Sequence, residues 1–330
     1  MVEPLLDVRD LAVEFPGKAP VRAVNGVSLT LRPGQVLGVL GESGSGKSML
    51  LRTILGIQPA KARVTGQVWM RGQDLLDMPE TKRAKTRGSW LSMVFQNPMT
   101  ALDPVFTVED QIVQPLMRHT GRTRPQARAR ALELLKLVQI SSPERRLKAY
   151  PFELSGGMRQ RVAIAAALAC DTSLLLADEP TTALDVTVQA RILSLLRSLQ
   201  AELGMSVIVV THDVGVAAEI AEEVVVMYAG RVVEHGSVRD VLRDPQHPYT
   251  QGLLAANVRP GQHERPVAIP GSPPNPAHLP PGCVFEPRCA FARDECGQRV
   301  PDLVSVTGSH EARCVLVTGV SEGVGEDARH

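Results

Sequence analysis

Over its first 240 or so residues the chain alternates short apolar runs with stretches whose apolar positions recur every three or four residues. The run "QVLGVLG" (35–41) reads as a buried strand, and "KSMLLRTILGI" (47–57) as the helix that follows it. "SLLLAD" (173–178) and "SVIVVTHD" (206–213) are two more apolar runs that end in polar residues. Between them Ile192, Leu195, Leu196, Leu199 and Leu203 keep helical spacing, so a helix crosses over from one strand to the next. Strands alternating with helices predict an α/β domain.

Two regions break this pattern. Residues 97–165 are helix-rich and carry the basic, Ala/Leu-rich run "RPQARARALELLKLVQI", which reads as a subdomain inserted into the strand series. After residue 244 the texture changes again, with 12 of the 25 prolines lying between Pro245 and Pro301. That density predicts an irregular, loop-dominated appendix rather than more sheet. The expected division is 1–244, 245–320 and a disordered tail at 321–330.

Composition narrows the function classes. The chain is 44% hydrophobic and 22% charged, which allows a sizeable core. Its 36 Lys and Arg against 35 Asp and Glu leave a net charge of +1, so broad attraction to nucleic acid or anionic lipid is not indicated. The start "MVEPLLDVRDLAVEF" lacks the basic and apolar sequence of a secretory leader. The longest uncharged apolar stretch, "VAIAAALAC" (162–170), falls far short of the ~20 residues that cross a bilayer. The expectation is a cytosolic protein that reaches a membrane only by binding another protein.

"GESGSGKS" (41–48) fits G-x-x-x-x-G-K-[ST] between a predicted strand and a predicted helix, the context that motif requires. Gly41, Gly44 and Gly46, with Ser43 and Ser45 between them, let the backbone curl so that its N–H groups face phosphate oxygens. Lys47 can then reach the β- and γ-phosphates, and the Ser48 hydroxyl can ligate Mg²⁺. A Gly/Ser turn matching by accident is the plainer alternative, and the correct flanks argue against it. "SLLLADEP" ends a strand in Asp178 and Glu179, where Asp178 can hold Mg²⁺ and Glu179 can polarise a water. A second anion site follows from "LSGGMRQRVAIAAALA" (154–169), which sets Ser155, Gly156 and Gly157 at the start of a helix.

That last segment resembles the signature motif of ATP-binding-cassette ATPases, in which two cassettes face head to tail and each signature closes over the partner's nucleotide. Further motifs resemble that family in order. Phe15 stands where the family stacks an aromatic ring on adenine, and Gln96 where its glutamine senses Mg²⁺ and the γ-phosphate. "ALD" (183–185) resembles the loop that crosses the dimer interface, and His212 the histidine that contacts the γ-phosphate. The resemblance implies a P-loop NTPase cassette: a RecA-like core, an antiparallel β subdomain and an inserted helical subdomain at about 97–165, followed by a small Cys-rich C-terminal domain. It also implies hydrolysis of ATP with Mg²⁺.

"QNPMTALDPVFTVEDQI" (96–112) and "PQHPYTQGLLAA" (245–256) resemble segments of the importers of peptides and nickel. The long cysteine-bearing tail favours the dipeptide/oligopeptide branch over the nickel branch. The implied partners are two transmembrane permease subunits, a second ATPase subunit of the same or another kind, and an extracytoplasmic solute-binding protein. The implied location is the cytoplasmic side of the cell membrane. A soluble cassette acting in translation or DNA repair is the rival. Such proteins usually carry two cassettes in one chain or a long coiled-coil insertion, and neither is present here.

Four of the five cysteines, Cys283, Cys289, Cys296 and Cys314, run C-x5-C-x6-C-x17-C in the appendix. In the cytosol two stable disulfides are disfavoured, which leaves a metal site or four ordinary thiols. Zinc usually takes closely paired cysteines, iron–sulfur clusters accept more varied spacing, and this pattern matches neither common ferredoxin arrangement. Resemblance to tail-bearing peptide importers implies a [4Fe–4S] cluster, structural rather than catalytic, with Zn²⁺ as the alternative. His310, four residues before Cys314, keeps a mixed zinc site open, and Cys170 reads as a core residue.

Overall fold

A computed structural model describes residues 3–97, 101–182, 184–257 and 267–317. In chain order the first strands are β1 (Leu6–Phe15), β2 (Val21–Leu31), β3 (Val36–Leu40), β4 (Arg63–Met70), β5 (Gln73–Asp74) and β6 (Leu91–Val94). They are followed by β7 (Leu174–Asp178), β8 (Ser206–Thr211), β9 (Glu223–Tyr228), β10 (Arg231–Ser237), β11 (Val304–Thr307) and β12 (His310–Ala312). The helices of the first half are α1 (Lys47–Leu55), α2 (Glu80–Thr86), α3 (Val108–Thr120), α4 (Arg124–Leu137) and α5 (Pro143–Leu147). After them come α6 (Gly156–Ala167), α7 (Val186–Leu203), α8 (Val214–Ile220), α9 (Val238–Arg243), α10 (Pro248–Ala255) and α11 (Asp294–Gln298).

Two sheets result. The smaller is antiparallel in the order β2-β1-β4-β5. The larger runs β11-β12-β10-β9-β3-β8-β7-β6, with β9, β3, β8, β7 and β6 parallel. All residues of β3, β7 and β8 are buried, because both faces of this sheet are covered; that is why these strands are continuous apolar runs with no alternation. On one side a core of Val207, Leu175, Ile192, Leu196, Ile164 and Leu134 joins the sheet to α4, α6 and α7. On the other, Leu50, Leu51 and Ile54 of α1 pack between the two sheets.

Local signals start the helices that matter for the site. Ser155 caps α6 by accepting from the Met158 amide, and Asp185 caps α7 by accepting from the Val188 amide at 2.9 Å. Thr107 caps α3, and Thr123 with Gln126 forms a capping box on α4. Three helices fill 108–147, between β6 and α6, in the region read as helix-rich. Cys170 lies just past α6, buried in the core.

One expectation needs correction. The proline-rich appendix does contain sheet: β11 and β12 form a hairpin, and β12 pairs with β10 as Glu234 opposite Ala312 and His235 opposite Glu311. These strands are three and four residues long and gain their partner from the free edge of β10, so no long alternating run announces them. The junction is pinned by Glu234, fully buried, whose carboxylate accepts from His310 Nε2 at 2.8 Å and from the amides of Gln246 (2.7 Å) and His247 (3.0 Å). The tail expected to be disordered, 321–330, lies outside the described residues, as do residues 98–100 of the segment after Gln96 and Ala183 of the "ALD" loop.

Candidate functional site

The site sits at the C-terminal ends of β3, β7 and β8, where ligands collect in open parallel sheets. After β3 the chain curls through 41–46 and enters α1. Gly46 has φ 100°, and a Cβ there would stand 2.2 Å from the Ala23 carbonyl oxygen. Only glycine fits, and the curl leaves the start of α1 open toward an anion. Lys47 is buried, and its Nζ donates to the carbonyls of Gly41 (2.7 Å) and Glu42 (2.8 Å). Burial lowers its pKa against the opposing pull of Glu179 and Asp178.

Asp178 ends β7 fully buried. Its Oδ1 accepts from Ser48 Oγ at 2.8 Å, while its Oδ2 is buried with no hydrogen-bond partner. Burial pushes the Asp178 carboxyl up, against the bond from Ser48. A buried carboxylate oxygen with no partner, beside a serine hydroxyl at the mouth of a phosphate loop, fits an oxygen-ligating divalent cation. The residues present therefore suit Mg²⁺.

Glu179, the next residue, has φ 46°, a left-handed conformation that costs an ordinary side chain on the order of 1–3 kcal/mol. Its amide still donates to Val210 of β8 at 2.9 Å, so the chain leaves the sheet by a sharp turn at that residue. Three groups then fix the carboxylate. Oε2 accepts from Gln96 Nε2 and from Thr182 Oγ1, both at 2.8 Å, and Oε1 lies 3.2 Å from His212 Nδ1. Burial alone would raise this carboxyl; the bonds from Thr182, His212 and Gln96 outweigh it and hold the pKa below the usual range. Lys47, Ser48, Gln96, Asp178, Glu179 and His212 are thus brought together. Thr182 was not among the sequence candidates, although its position three residues after Glu179, in a turn, is the available signal.

Phe15 stands at the end of β1 opposite Val21, and Val21 lines a cavity of about 210 Å³ shared with Ser43, Gly44 and Ser45. The cleft at the expected second anion site shares no lining residue with that cavity. Ser155, Gly156 and Gly157 border a cleft of about 420 Å³ together with Leu184, Asp185, Arg161 and Arg191. A Cβ on Gly157 would come within 2.8 Å of Val188, so glycine is what allows α6 and α7 to meet closely there. Arg161, Arg191 and the start of α6 bring positive charge to this cleft, with the Asp185 carboxylate opposing it.

The four tail cysteines line one small cavity with Phe285, Phe291 and Leu316. Burial raises the thiols of Cys283, Cys289 and Cys314. Among the described residues no three His, Cys, Asp or Glu form a group that could hold a metal ion. His310 is bound to Glu234 and is not part of the cavity lining, so the mixed site suggested by its nearness to Cys314 does not form; His247 lines the cavity instead. His247 is fully buried, and burial pushes its pKa down to about 3. Its Nδ1 accepts from the Tyr249 amide at 3.0 Å. Among the described residues no helix is long and apolar enough to cross a membrane.

A strand, phosphate loop and helix, with an Asp-Glu pair at the end of the next strand but one in the sheet, define a nucleotide-binding P-loop fold. Residues 24–182 match the ABC transporter family, and residues 233–296 match the oligopeptide/dipeptide transporter C-terminal region. A putative peptide import ATP-binding protein of Brucella melitensis is 47% identical over 328 residues, covering 95% of this chain and 97% of that protein. The oligopeptide transport ATP-binding protein OppD of Haemophilus influenzae is 44% identical over 319 residues, covering 96% and 98%. OppD of Mycobacterium bovis is 50% identical over 97% of this chain, which spans only 53% of that longer relative. Among solved structures, the dimeric post-hydrolysis state of the cassette MJ0796 bound to ADP and Pi aligns with a TM-score of 0.63 at 32% identity, covering 71% of this chain and 99% of that one. The chain belongs to the ATP-binding-cassette transporter family.

The unpartnered Asp178 oxygen yields a prediction. Its raised pKa means that its charge opposes folding, so Asp178→Asn should stabilise the nucleotide-free protein at neutral pH by ~0.5–2 kcal/mol while weakening Mn²⁺ or Mg²⁺ binding. The gain should shrink as pH falls through the Asp178 pKa, where protonation relieves the wild type. Urea denaturation across that pH range checks it; a destabilised variant would contradict it.

Proposed function

We propose that the chain is the ATP-hydrolysing subunit of a membrane importer of dipeptides or oligopeptides, working as a peripheral protein on the cytoplasmic side. The observation that carries this reading is the gathering of Gln96, Thr182 and His212 on the Glu179 carboxylate beside Lys47 and Asp178. The peptide cargo is supported by the oligopeptide/dipeptide transporter match at 233–296 and by the names of relatives of nearly the same length. In this reading residues 1–244 form the cassette, 245–320 the C-terminal extension, and two permease subunits, a sister ATPase and a solute-binding protein complete the transporter.

The chemistry follows from the side chains. The phosphate loop at 41–48 binds the β- and γ-phosphates, and Phe15 takes the adenine. Lys47 leaves the carbonyls of Gly41 and Glu42 for phosphate oxygens, exchanging two neutral acceptors for a stronger charged one. Ser48, Asp178 and Gln96 would hold Mg²⁺, which when bound neutralises charge on the phosphates. Glu179, kept ionised by its neighbours, accepts a proton from the attacking water. His212 and Lys47 stabilise charge that develops on the transferred group. The Ser155–Gly157 cleft shares no lining residue with the cavity at the phosphate loop of its own chain, and in this reading it takes the partner cassette's nucleotide. Two cassettes close on two nucleotides and reopen when hydrolysis removes the bridging phosphate.

Glu179→Gln should keep ATP binding, accumulate closed dimers on ATP, and lower the steady-state hydrolysis rate by ~10²–10⁴-fold. Undiminished turnover would remove Glu179 as the base. Assembly is checked by affinity purification from detergent-solubilised membranes, with two permease subunits expected and a soluble assembly counting against import.

For the cysteine cavity, the reading is a metal centre that staples the extension: all four thiols line one small cavity, although among the described residues they do not stand as a ready metal-holding group. A [4Fe–4S] cluster is the occupant that the family resemblance favours, and Zn²⁺ is the alternative. Anaerobic purification followed by iron, sulfide and zinc analysis decides it: about four irons and four sulfides per chain indicate the cluster, and one zinc without sulfide the alternative. A folded, metal-free chain would return the cysteines to ordinary thiols.

A further inference from the structure

Glu42, the second residue of the phosphate loop, is held by two residues from the far end of the chain. Its carboxylate takes two bonds from Arg288, Nη1 to Oε2 at 2.8 Å and Nη2 to Oε1 at 3.2 Å. Its amide donates to the Tyr249 hydroxyl at 2.8 Å. The Glu42 carbonyl in turn accepts from Lys47 Nζ at 2.8 Å and from the Ser45 amide at 3.2 Å, the bond that closes the loop's first turn. One residue therefore joins the C-terminal extension to the lysine and the curl that receive phosphate.

The clamp is itself rigidly mounted. The Arg288 guanidinium also donates to the Pro270 carbonyl (2.9 Å) and the Tyr228 hydroxyl (3.1 Å), and it stacks near the rings of Tyr228 and Phe285. Its side chain is only 6% exposed, so it is not a solvated surface arginine that pairs in passing. Tyr249 is fully buried, its ring 4.5 Å from that of Tyr228 and 5.4 Å from that of Phe285. It sits at the start of α10, where His247 accepts its amide and Pro248 opens the helix.

We propose that Arg288 and Tyr249 are positioning residues of the nucleotide site: by fixing Glu42 they hold the phosphate loop in its open curl before nucleotide arrives. A loop ordered in advance gives up less conformational freedom on binding, so the effect belongs to affinity more than to the chemical step. Neither residue touches phosphate. The inference rests on the ATP site proposed above and adds a role for the extension, which otherwise stands apart from catalysis.

The test uses the full-length chain, equilibrium binding of a fluorescent ATP analogue, and steady-state hydrolysis. Arg288→Ala and Glu42→Gln should each raise the Kd by about tenfold, the scale of a charge-assisted bond, and raise KM with kcat changed much less. The double variant should be no weaker than either single one, because both remove the same contact. Arg288→Lys should recover part of the affinity, and Tyr249→Phe should weaken binding through loss of the hydroxyl alone. If Arg288 only braced the extension, Glu42→Gln would leave Kd within twofold, or the two losses would add; either result overturns the proposal. A wild-type chain that bound no ATP would overturn the nucleotide reading itself, and this inference with it. Normal wild-type binding with unchanged variants would remove this inference alone.

Discussion

Everything at the site depends on burying one ammonium and two carboxylates at the edge of a sheet without fully pairing them. Lys47, Asp178 and Glu179 lie within mutual electrostatic reach, and the protein resolves their charges unevenly. Glu179 is surrounded by donors and stays ionised. Asp178 has one donor for two oxygens and is pushed toward protonation. Lys47 is held by carbonyls, which bear only partial charge. An anion would suit the lysine better than two carbonyls do, and a cation would partner the second oxygen of the aspartate. A metal–nucleotide complex brings both at once, and a site so arranged favours that pair over either member alone.

The sheet makes this possible because its parallel strands end together. The bond from the Glu179 amide to Val210 continues the pairing of β7 with β8 one residue beyond the strand, and the left-handed turn there sends the chain away from the sheet. The carboxylate is thus placed by the backbone and then aimed by Gln96, Thr182 and His212, which come from three different segments. Gln96 follows β6, Thr182 lies in the turn after β7, and His212 follows β8. A shift in any of these strands would be felt at one carboxylate, and the bond from Gln96 ties the segment that enters the helical insertion to Glu179.

Much of this was legible in the sequence, for identifiable reasons. β3, β7 and β8 are covered on both faces, so each shows as an apolar run that leads directly into candidate site residues. The phosphate loop is local, and its residues are contiguous. What could not be seen depended on pairing across the chain. β12 is three residues long and exists because β10 offers an edge. His310 looked like a ligand because it is near Cys314 in sequence, yet Glu234, 76 residues earlier, takes its nitrogen. Thr182 was missed because a threonine in a turn is common, and its bond to Glu179 is a matter of rotamer. The Arg288–Glu42 contact spans 246 residues and leaves no trace in any local pattern.

Besides the clamp on Glu42, the C-terminal extension is joined to the cassette in three further ways, and they differ in kind. β12 adds backbone pairing to the central sheet, Glu234 collects buried donors at the junction, and Tyr249, Phe285 and Val284 share a core with Leu40, Val226 and Tyr228. Leu40 is the last residue before the phosphate loop, so that shared core already reaches the loop's entry. Arg288 lies immediately before Cys289, one of the residues that line the cysteine cavity. A segment rich in proline and poor in regular structure holds such a group still by borrowing contacts: Arg288 is fixed by the Pro270 carbonyl, the Tyr228 hydroxyl and the shared aromatic core.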